Sequence, residues 1–136
     1  MYNHPEEILE TIDAIMEIMN IKKAYLAINE NNQIIIKTFL KFINTYPNIK
    51  IYPILDGYPN GWERFLIQEI LGLTYDKKTS EVGVITDNVS TIYSIYEVLK
   101  YNRPQTEKIV TISGPGIKKP ANYKVKIGTN FSEIIL

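Results

Sequence analysis

The sequence predicts an α/β fold, in which βαβ units build a largely parallel sheet with flanking helices and a shorter, strand-rich segment follows. Apolar runs of strand length alternate with segments of helical periodicity up to Pro104, which is the pattern of βαβ units. Beyond Pro104 come two strands, and in the second of them apolar residues alternate with lysines. A chain of 136 residues that is 45% hydrophobic can bury roughly two-thirds of its unfolded surface without disulfides. We therefore expect one domain over residues 1–104, joined to part of a second over residues 105–136.

The first βαβ unit is predicted within residues 5–55. A helix begins at Pro5, because proline suits the first helical position and the two glutamates that follow suit the positive end of the helix dipole. A strand over 23–30, a helix over 31–46 and a strand over 48–55 complete the unit. The apolar faces of the two helices comprise Ile8, Ile12, Ile15 and Met19 in the first, and Ile35, Phe39, Phe42 and Ile43 in the second.

The rest of the first domain starts with DGYPNGWERFL, residues 56–66, in which a Pro-Asn-Gly turn precedes the only tryptophan and a charged pair. A helix over 62–73 is predicted to follow, with Gly72 as its C-terminal cap. The segment EVGVIT, residues 81–86, is predicted to be a strand. A last helix ends before Pro104. Its apolar face comprises Ile92, Ile95, Tyr96 and Leu99.

Two strands and the first turns of a helix are predicted for residues 105–136. The strands cover 107–114 and 122–128, and a Gly/Pro-rich connection joins them. In the second strand, apolar residues alternate strictly with lysines. The helix follows directly, with Thr129 or Asn130 as its cap.

Composition excludes several kinds of function. Fifteen basic and fifteen acidic residues balance, so the net charge favours neither nucleic acid nor an anionic membrane, and we expect no nucleic-acid partner. The absence of cysteine excludes disulfides, thiolate nucleophiles and cysteine-ligated metal centres within these residues. His4 is the only histidine and has no companion at a metal-site spacing, so no metal site is predicted. The sequence has no run of about 20 apolar residues, no signal-peptide pattern and no recognisable catalytic set.

The Pro-Asn-Gly turn has a structural and a functional interpretation. Such turns commonly reverse the chain, and then Glu63 and Arg64 are solvated charges and Trp62 serves packing. Alternatively, the amides that enter the following helix face a ligand, with Gly61 allowing close approach.

A second pair of polar residues is equally ambiguous. Asp87 and Asn88 follow the predicted strand 81–86 and precede a helix. They either cap that helix or lie at the carboxyl end of a strand, where open α/β sheets bind ligands. Residue chemistry alone leaves both alternatives open.

Three segments resemble, in this order, the C subunit family of the Rnf electron-transport complex. They read GYPNGWERFLIQEILG, VGVITDNVSTIYSIYEVL and TISGPGIKKPANYKVKIGTNFSEII. That family is similar to the flavin-carrying, NADH-oxidising subunit of respiratory complex I. The third segment resembles the opening of a β-grasp module called SLBB, so the resemblance implies a truncated β-grasp module after the α/β domain. The segment HPEEILETIDAIMEIMNIKKAYLAINEN also resembles the helix and strand that come first in the family.

The resemblance implies a set of cofactor contacts but no catalytic side chain. In the family's flavin subunits, FMN lies against a Tyr-x-x-Gly-x-Glu turn and against polar residues that follow the later strand. The complex I relatives carry two consecutive glutamates after the glycine, and here Trp62 stands in the place of the first. The matching positions in this chain are Tyr58, Gly61, Glu63, Asp87, Asn88 and Thr91.

The resemblance also implies that residues 1–136 are a fragment. The family's glycine-rich loop, which holds the FMN phosphate and the dinucleotide, normally precedes these segments, and cysteine motifs for iron–sulfur clusters normally follow the SLBB module. The whole subunit is expected to be an oxidoreductase that oxidises NADH through FMN and passes electrons to iron–sulfur clusters outside this segment. The segment by itself is expected to be inactive, with an incomplete FMN site. Its expected partners are the rest of its own polypeptide and the other proteins of a membrane-associated complex, which would place it in the cytoplasm at the inner face of the cell membrane.

Other functions agree with the same residues. Cobalamin-reductase and proline-reductase-associated electron-transfer proteins share these segments with the Rnf family. A non-enzymatic soluble module for binding or scaffolding is the alternative from another class, and its edge strand 122–128 could pair between two copies to give a homodimer. Whether the chain is itself an enzyme is left open by the sequence.

Overall fold

The structure, a computed structural model, describes residues 1–135. The chain divides into two compact units, Met1–Tyr96 and Glu97–Leu136, and the division falls within one helix. The helices of the first unit are α1 (Pro5–Ile18), α2 (Gln33–Leu40), α3 (Glu63–Leu71) and α4 (Val89–Tyr101). The last residues of α4 belong to the second unit. The strands of the first unit are β1 (Ala24–Asn29) and β2 (Ile49–Ile54). Short 3-10 helices cover Ile43–Thr45 and Thr79–Val82.

The predicted α/β fold class is confirmed by the first unit. Strands β1 and β2 pair in parallel, from Ala24 opposite Ile49 to Asn29 opposite Ile54, and α2 lies between them in the chain. Helices α1 and α2 contact each other, and both contact β2. The core forms where these elements meet, and its best-buried apolar side chains are Ile8, Leu9, Phe39, Ile49 and Ile28.

Helix α1 is where it was predicted, but its buried face differs from the predicted one. Met16 is buried, whereas Met19 is 53% exposed. Helix α1 ends at Ile18, and Asn20 then adopts a left-handed φ of 54°. Met19 follows the last residue of the helix as its C-terminal cap, so it does not belong to the helix face.

The single helix predicted over 31–46 is wrong in its second half. Helix α2 ends at Leu40. The residues that follow form hydrogen bonds between residues three apart, as in a 3-10 helix, from the Thr45 N–H to the Phe42 carbonyl and from the Tyr46 N–H to the Ile43 carbonyl. Pro47 explains why the helical turns do not continue past Thr45, because the residue before a proline is disfavoured in α-helical conformation and Tyr46 adopts φ −124° and ψ 71°.

The strand predicted over 81–86 is also wrong. Residues Thr79–Val82 form a 3-10 helix, and Gly83 adopts a left-handed φ of 67°. In the part of the chain that the structure describes, residues 84–88 pair with no strand, and the sheet of the first unit holds only β1 and β2. A β-strand is held by hydrogen bonds to a neighbouring strand, and without that neighbour the apolar alternation of this segment does not produce one.

The second unit contains a two-stranded antiparallel sheet. Strand β3 (Glu107–Ile112) pairs with β4 (Ala121–Lys126), from Glu107 opposite Lys126 to Ile112 opposite Ala121. Helix α5 (Phe131–Ile135) follows. Of the two predicted caps, Asn130 takes the role, because its Oδ1 atom accepts the backbone N–H of Ser132 at 3.1 Å.

Candidate functional site

The Pro-Asn-Gly turn ends where α3 begins and is held by hydrogen bonds across it. The Asn60 N–H donates to the Gly57 carbonyl at 3.0 Å, and the Trp62 N–H donates to the Pro59 carbonyl at 2.8 Å. The Asn60 side chain donates to the Leu55 carbonyl at 3.3 Å. The turn therefore holds its backbone in one shape at the surface.

Two of the predicted site residues in this turn are open to solvent. Tyr58 is 81% exposed. Apart from its chain neighbours Asn60 and Trp62, no residue has a heavy atom within 4 Å of a Cβ atom added to Gly61. A flat ligand could therefore approach the backbone at Gly61 without displacing a side chain.

Glu63, the first residue of α3, has its carboxylate fixed by two hydroxyl groups. The Tyr75 hydroxyl donates to Oε1 at 2.7 Å, and the Thr86 hydroxyl donates to Oε2. The Thr86 hydrogen bond, followed by that of Tyr75, lowers the pKa of Glu63 below its usual value. The bond from Tyr75 raises the pKa of that phenol in turn. Glu63 is thus an ionised, oriented acceptor at neutral pH.

Arg64 is not simply a solvated charge, as one interpretation of the sequence suggests, because its guanidinium group forms hydrogen bonds to another segment of the chain. Its Nη1 atom donates to the Tyr75 carbonyl at 2.7 Å, and its Nη2 atom donates to the Asp76 carbonyl at 2.9 Å. Its guanidinium carbon also lies 4.6 Å from the centre of the Tyr75 ring. Arg64 therefore holds the segment that presents the Tyr75 hydroxyl to Glu63.

The loop after Tyr75 is closed by Glu81. Its carboxylate accepts backbone N–H groups from Asp76 at 3.2 Å, Lys77 at 3.4 Å and Lys78 at 3.3 Å. Glu81 therefore holds the residues that follow Tyr75 through their N–H groups, while Arg64 holds the carbonyls of Tyr75 and Asp76.

The second group of predicted residues lies at the start of α4. The Asn88 Oδ1 atom accepts the backbone N–H of Ser90 at 3.0 Å and its hydroxyl at 2.9 Å, and the Asn88 carbonyl accepts the N–H of Thr91 at 2.8 Å. Asn88 therefore caps α4, as one of the two interpretations expects. Asp87 and Thr91 are exposed beside it.

The hydrogen bond between Glu63 and Thr86 brings the two predicted groups together. Thr86 immediately precedes Asp87, so this bond ties the start of α3 to the segment that leads into α4. Neither Tyr75 nor Thr86 was predicted from the sequence as a site residue. They belong to no local pattern, since they lie 12 and 23 residues from Glu63 in the chain.

A further polar cluster, which was not predicted either, lies where β1 and β2 end. The Asp56 carboxylate accepts the side-chain N–H groups of Asn29 at 2.7 Å and Asn31 at 3.1 Å. The Asn29 Oδ1 atom accepts the Asn31 backbone N–H at 2.9 Å. Asp56 lies between the end of β2 and the turn, so this cluster ties the start of the turn to Asn29 at the carboxyl end of β1 and to Asn31 just after it.

His4 takes part in a local contact. Its ring lies 4.4 Å from that of Tyr93, centre to centre, and its Nδ1 atom lies 3.1 Å from the Glu7 carboxylate. Within residues 1–135, no group of three or more His, Asp or Glu side chains is placed to hold a metal ion. None of the helices within the same residues is long and apolar enough to cross a membrane.

The sequence of the first unit matches the model of a protein family that is described by the cofactor it binds. Residues 1–97 match Complex1_51K, described as the Nuo51 FMN-binding domain. The match ends one residue beyond the first compact unit.

C subunits of oxidoreductase complexes are similar to this chain over almost its whole length. The chain is 31% identical, over 99% of its length, to the C subunit of the ion-translocating oxidoreductase complex of Rhodobacter capsulatus, of which it covers 27%. It is 30% identical over 99% of its length to the C subunit of the proton-translocating ferredoxin:NAD(+) oxidoreductase complex of Clostridium ljungdahlii, of which it covers 30%. It is 28% identical, again over 99% of its length, to the Haemophilus influenzae C subunit, of which it covers 17%. The chain therefore spans less than a third of the length of these relatives.

Proposed function

This chain belongs to the Nuo51 FMN-binding domain family, and from that premise we propose that it is the flavin-contacting part of an Rnf-type electron-transfer subunit. The names of its relatives support this, since they describe C subunits of ion-translocating or ferredoxin:NAD(+) oxidoreductase complexes. The whole subunit would oxidise NADH through FMN and pass electrons to iron–sulfur clusters. FMN, when bound, supplies the hydride and one-electron chemistry, and the protein supplies position and electrostatics.

The carboxylate of Glu63 carries the proposal. The hydroxyls of Tyr75 and Thr86 fix it at the edge of an open turn, and they keep it ionised by lowering its pKa. A fixed, ionised acceptor suits the N–H donors of a flavin or of a nicotinamide carboxamide. No residue other than its chain neighbours lies within 4 Å of a Cβ atom added to Gly61, which leaves room for a flat ring to approach the same turn.

The other predicted contacts would act around that carboxylate. Tyr58 would line the site, and Asp87 and Thr91 would offer oxygen atoms at the start of α4. The Asn88 Oδ1 atom is engaged in capping α4, so Asn88 would hydrogen-bond the cofactor through its Nδ2 group.

We also propose the division of the chain into a flavin-domain part, residues 1–104, and the start of an SLBB β-grasp module, residues 105–136. The separate β3–β4 hairpin, which begins at Glu107, supports this division, whereas the first compact unit ends earlier, at Tyr96 within α4. The iron–sulfur clusters and the phosphate-binding loop would lie outside residues 1–136. The remaining parts of the subunit and of its complex would then hold this part at the cytoplasmic face of the cell membrane.

Titration of FMN into the isolated chain tests the proposal. We expect residues 1–136 to be inactive in NADH oxidation and to bind FMN with a dissociation constant on the order of 1 mM, because part of the cradle is missing. Backbone ¹H–¹⁵N shifts should move at residues 58–63 and 87–91. Glu63→Gln should reduce these shifts, whereas the control Glu69→Gln, at an exposed position on the same helix, should not.

Two outcomes would contradict the proposal. A dissociation constant on the order of 1 μM would mean that these residues form a complete flavin site. Absence of shifts in both segments at about ten times the expected dissociation constant would mean that they do not contact FMN.

The alternative of a docking module has one observation in its favour. The two-stranded sheet has two edges, and Ile109 on β3 is exposed, which leaves the hairpin able to pair with another strand. A homodimer formed this way would appear in sedimentation velocity as a concentration-dependent species, and Ile109→Lys would abolish it.

A further inference from the structure

The two aromatic rings that flank the Pro-Asn-Gly turn are exposed and contact each other. Tyr58 is 81% exposed and Trp62 is 56% exposed. Their ring centres lie 5.1 Å apart with the ring planes at 81°, an edge-to-face arrangement that aromatic pairs favour. We call Tyr58 and Trp62 the aromatic pair.

Packing does not account for Trp62, contrary to the interpretation drawn from the sequence. The hydrophobic core of the first unit is formed by residues of α1, α2, α4, β1 and β2, and Trp62 does not belong to it. Burying a large aromatic side chain is among the strongest contributions to stability, and this chain leaves most of that surface in water. A single exposed apolar side chain is ordinary, but adjoining exposed apolar side chains rimmed by polar groups mark interaction or ligand-binding surfaces, and Tyr58 and Trp62 adjoin each other beside Glu63.

Trp62 also contributes no side-chain cap to the helix that it precedes. It occupies the N-cap position of α3, with φ −78° and ψ 142°, and makes no side-chain hydrogen bond to the helix. Serine, threonine, asparagine or aspartate at this position would stabilise the helix by roughly 1 kcal/mol relative to a residue that cannot cap. The choice of tryptophan therefore works against local stability.

The backbone beneath the aromatic pair is held in place. The Trp62 N–H donates to the Pro59 carbonyl at 2.8 Å, and the Trp62 carbonyl accepts the Leu66 N–H at 2.9 Å in the first turn of α3. The Asn60 N–H closes the other side of the turn on the Gly57 carbonyl. Because the backbone that carries the two rings is already fixed, less conformational entropy is lost when a ligand binds to them.

The charge beside the aromatic pair indicates the kind of ring that would bind there. Glu63, the next residue after Trp62, is held ionised by Thr86 and Tyr75. The faces of Trp and Tyr rings are electron-rich and attract positive or electron-poor groups. A carboxylate next to them strengthens the same preference.

We propose that the aromatic pair is a platform on which an electron-poor heteroaromatic ring of the redox reaction stacks, with Trp62 as the main ring contact. This rests on the proposed function and deepens it, since both the isoalloxazine of oxidised FMN and the cationic nicotinamide of NAD⁺ have this chemistry. Trp62 thereby becomes a specificity-determining residue of the site, because an electron-rich purine would gain less from the same surface.

The single tryptophan makes the experiment direct. In ¹H–¹⁵N spectra of the chain, one indole cross-peak belongs to Trp62, and it is followed during titration with FMN, with oxidised nicotinamide mononucleotide, and with AMP. We expect ring-current shifts of the indole cross-peak and of the Tyr58 backbone amide with FMN or with the nicotinamide mononucleotide, and smaller ones with AMP. Of these two titrations, the one that gives the larger shift of the indole cross-peak identifies which electron-poor ring stacks there.

Variants separate stacking from a general effect on the turn. Trp62→Ala should weaken binding of the ring that stacks by roughly tenfold, the scale of one aromatic stacking contact, while Trp62→Phe should retain most of it. Tyr101→Ala, a control at an equally exposed aromatic residue (56%) in the second unit, should leave binding unchanged.

Each other outcome has a defined meaning. If FMN shifts the amides of residues 87–91 while the indole cross-peak stays in place, the proposed function stands and the platform is refuted. If neither region shifts, both are refuted. If AMP shifts the indole as much as the electron-poor rings do, the platform binds any flat ring, and the assigned specificity is overturned.

Discussion

The hydrogen bond between Thr86 and Glu63 gives the sharpest prediction. Thr86→Val removes the hydroxyl that donates to Glu63 Oε2 and nearly preserves the shape of the side chain. Hydrogen bonds to charged groups contribute about 1.5–3 kcal/mol when shielded from water, and Glu63 is exposed. Allowing for that solvent exposure, we expect the free energy of unfolding to fall by about 1 kcal/mol at pH 7. Thr86→Ser keeps the hydroxyl and should recover most of this loss.

The charge on Glu63 makes the effect depend on pH. The Thr86 hydrogen bond, then that of Tyr75, lowers the pKa of Glu63 in the folded state below its usual value of 4.5. A carboxyl with a depressed folded-state pKa contributes stability that is present above its unfolded pKa and is lost as the pH falls through the folded one. The difference in unfolding free energy between wild type and Thr86→Val should therefore be constant above about pH 5 and should shrink below the unfolded pKa.

A double-mutant cycle with Glu63→Gln isolates the interaction. We expect a coupling free energy of about 0.5–1 kcal/mol at pH 7, measured by urea unfolding. Emission from Trp62 reports the unfolding of the first unit, because it is the only tryptophan and lies within that unit. Glu69→Gln, which removes a charge elsewhere on α3, should show no coupling with Thr86→Val. A coupling below about 0.3 kcal/mol at pH 7, or one that is unchanged at pH 3, would refute the assignment of the lowered pKa to this bond.

Three further predictions concern stability and local order. Phe39→Ala, at a fully buried position, should lower the free energy of unfolding by about 3–5 kcal/mol, whereas Phe65→Ala, at a residue that is 42% exposed, should cost much less in the same urea titration. Gly72→Ala should cost about 1 kcal/mol in thermal unfolding, because Gly72 ends α3 with a φ of 69° that favours glycine. Asp56→Ala should speed amide hydrogen exchange in the turn over residues 57–62, since it removes the acceptor that ties the start of the turn to Asn29 at the end of β1 and to Asn31; unchanged exchange would contradict that anchoring role.

Part of the candidate site could be predicted and part could not. Glu63 and Asn88 were singled out because they lie in short segments that resemble the family, while residue chemistry alone left their roles open; the structure shows that Asn88 caps α4. Arg64 and Trp62 were misjudged, since a charge and a ring next to a turn look the same in sequence whether they contact neighbouring segments, solvent or a ligand. The structure shows Arg64 bonded to two carbonyl groups of the 75–76 segment and Trp62 largely exposed.

The sequence by itself determined the elements whose signals are local. Helix α1 follows from a proline and apolar spacing, α3 ends at the glycine that was predicted to cap it, and strands β1 and β2 lie within the predicted ranges. Apolar periodicity and capping act within a few residues, so they can be recognised without knowing what packs against them.

Only the tertiary structure decided which segments meet. The apolar segment 81–86 has the composition of a strand but pairs with no strand among the described residues. The hydroxyls that fix Glu63 come from 12 and 23 residues away, and the Asp56 cluster joins residues 25 and 27 apart. Hydrogen bonds over such separations form because the packed core brings distant segments together, and no local pattern in the sequence records that proximity.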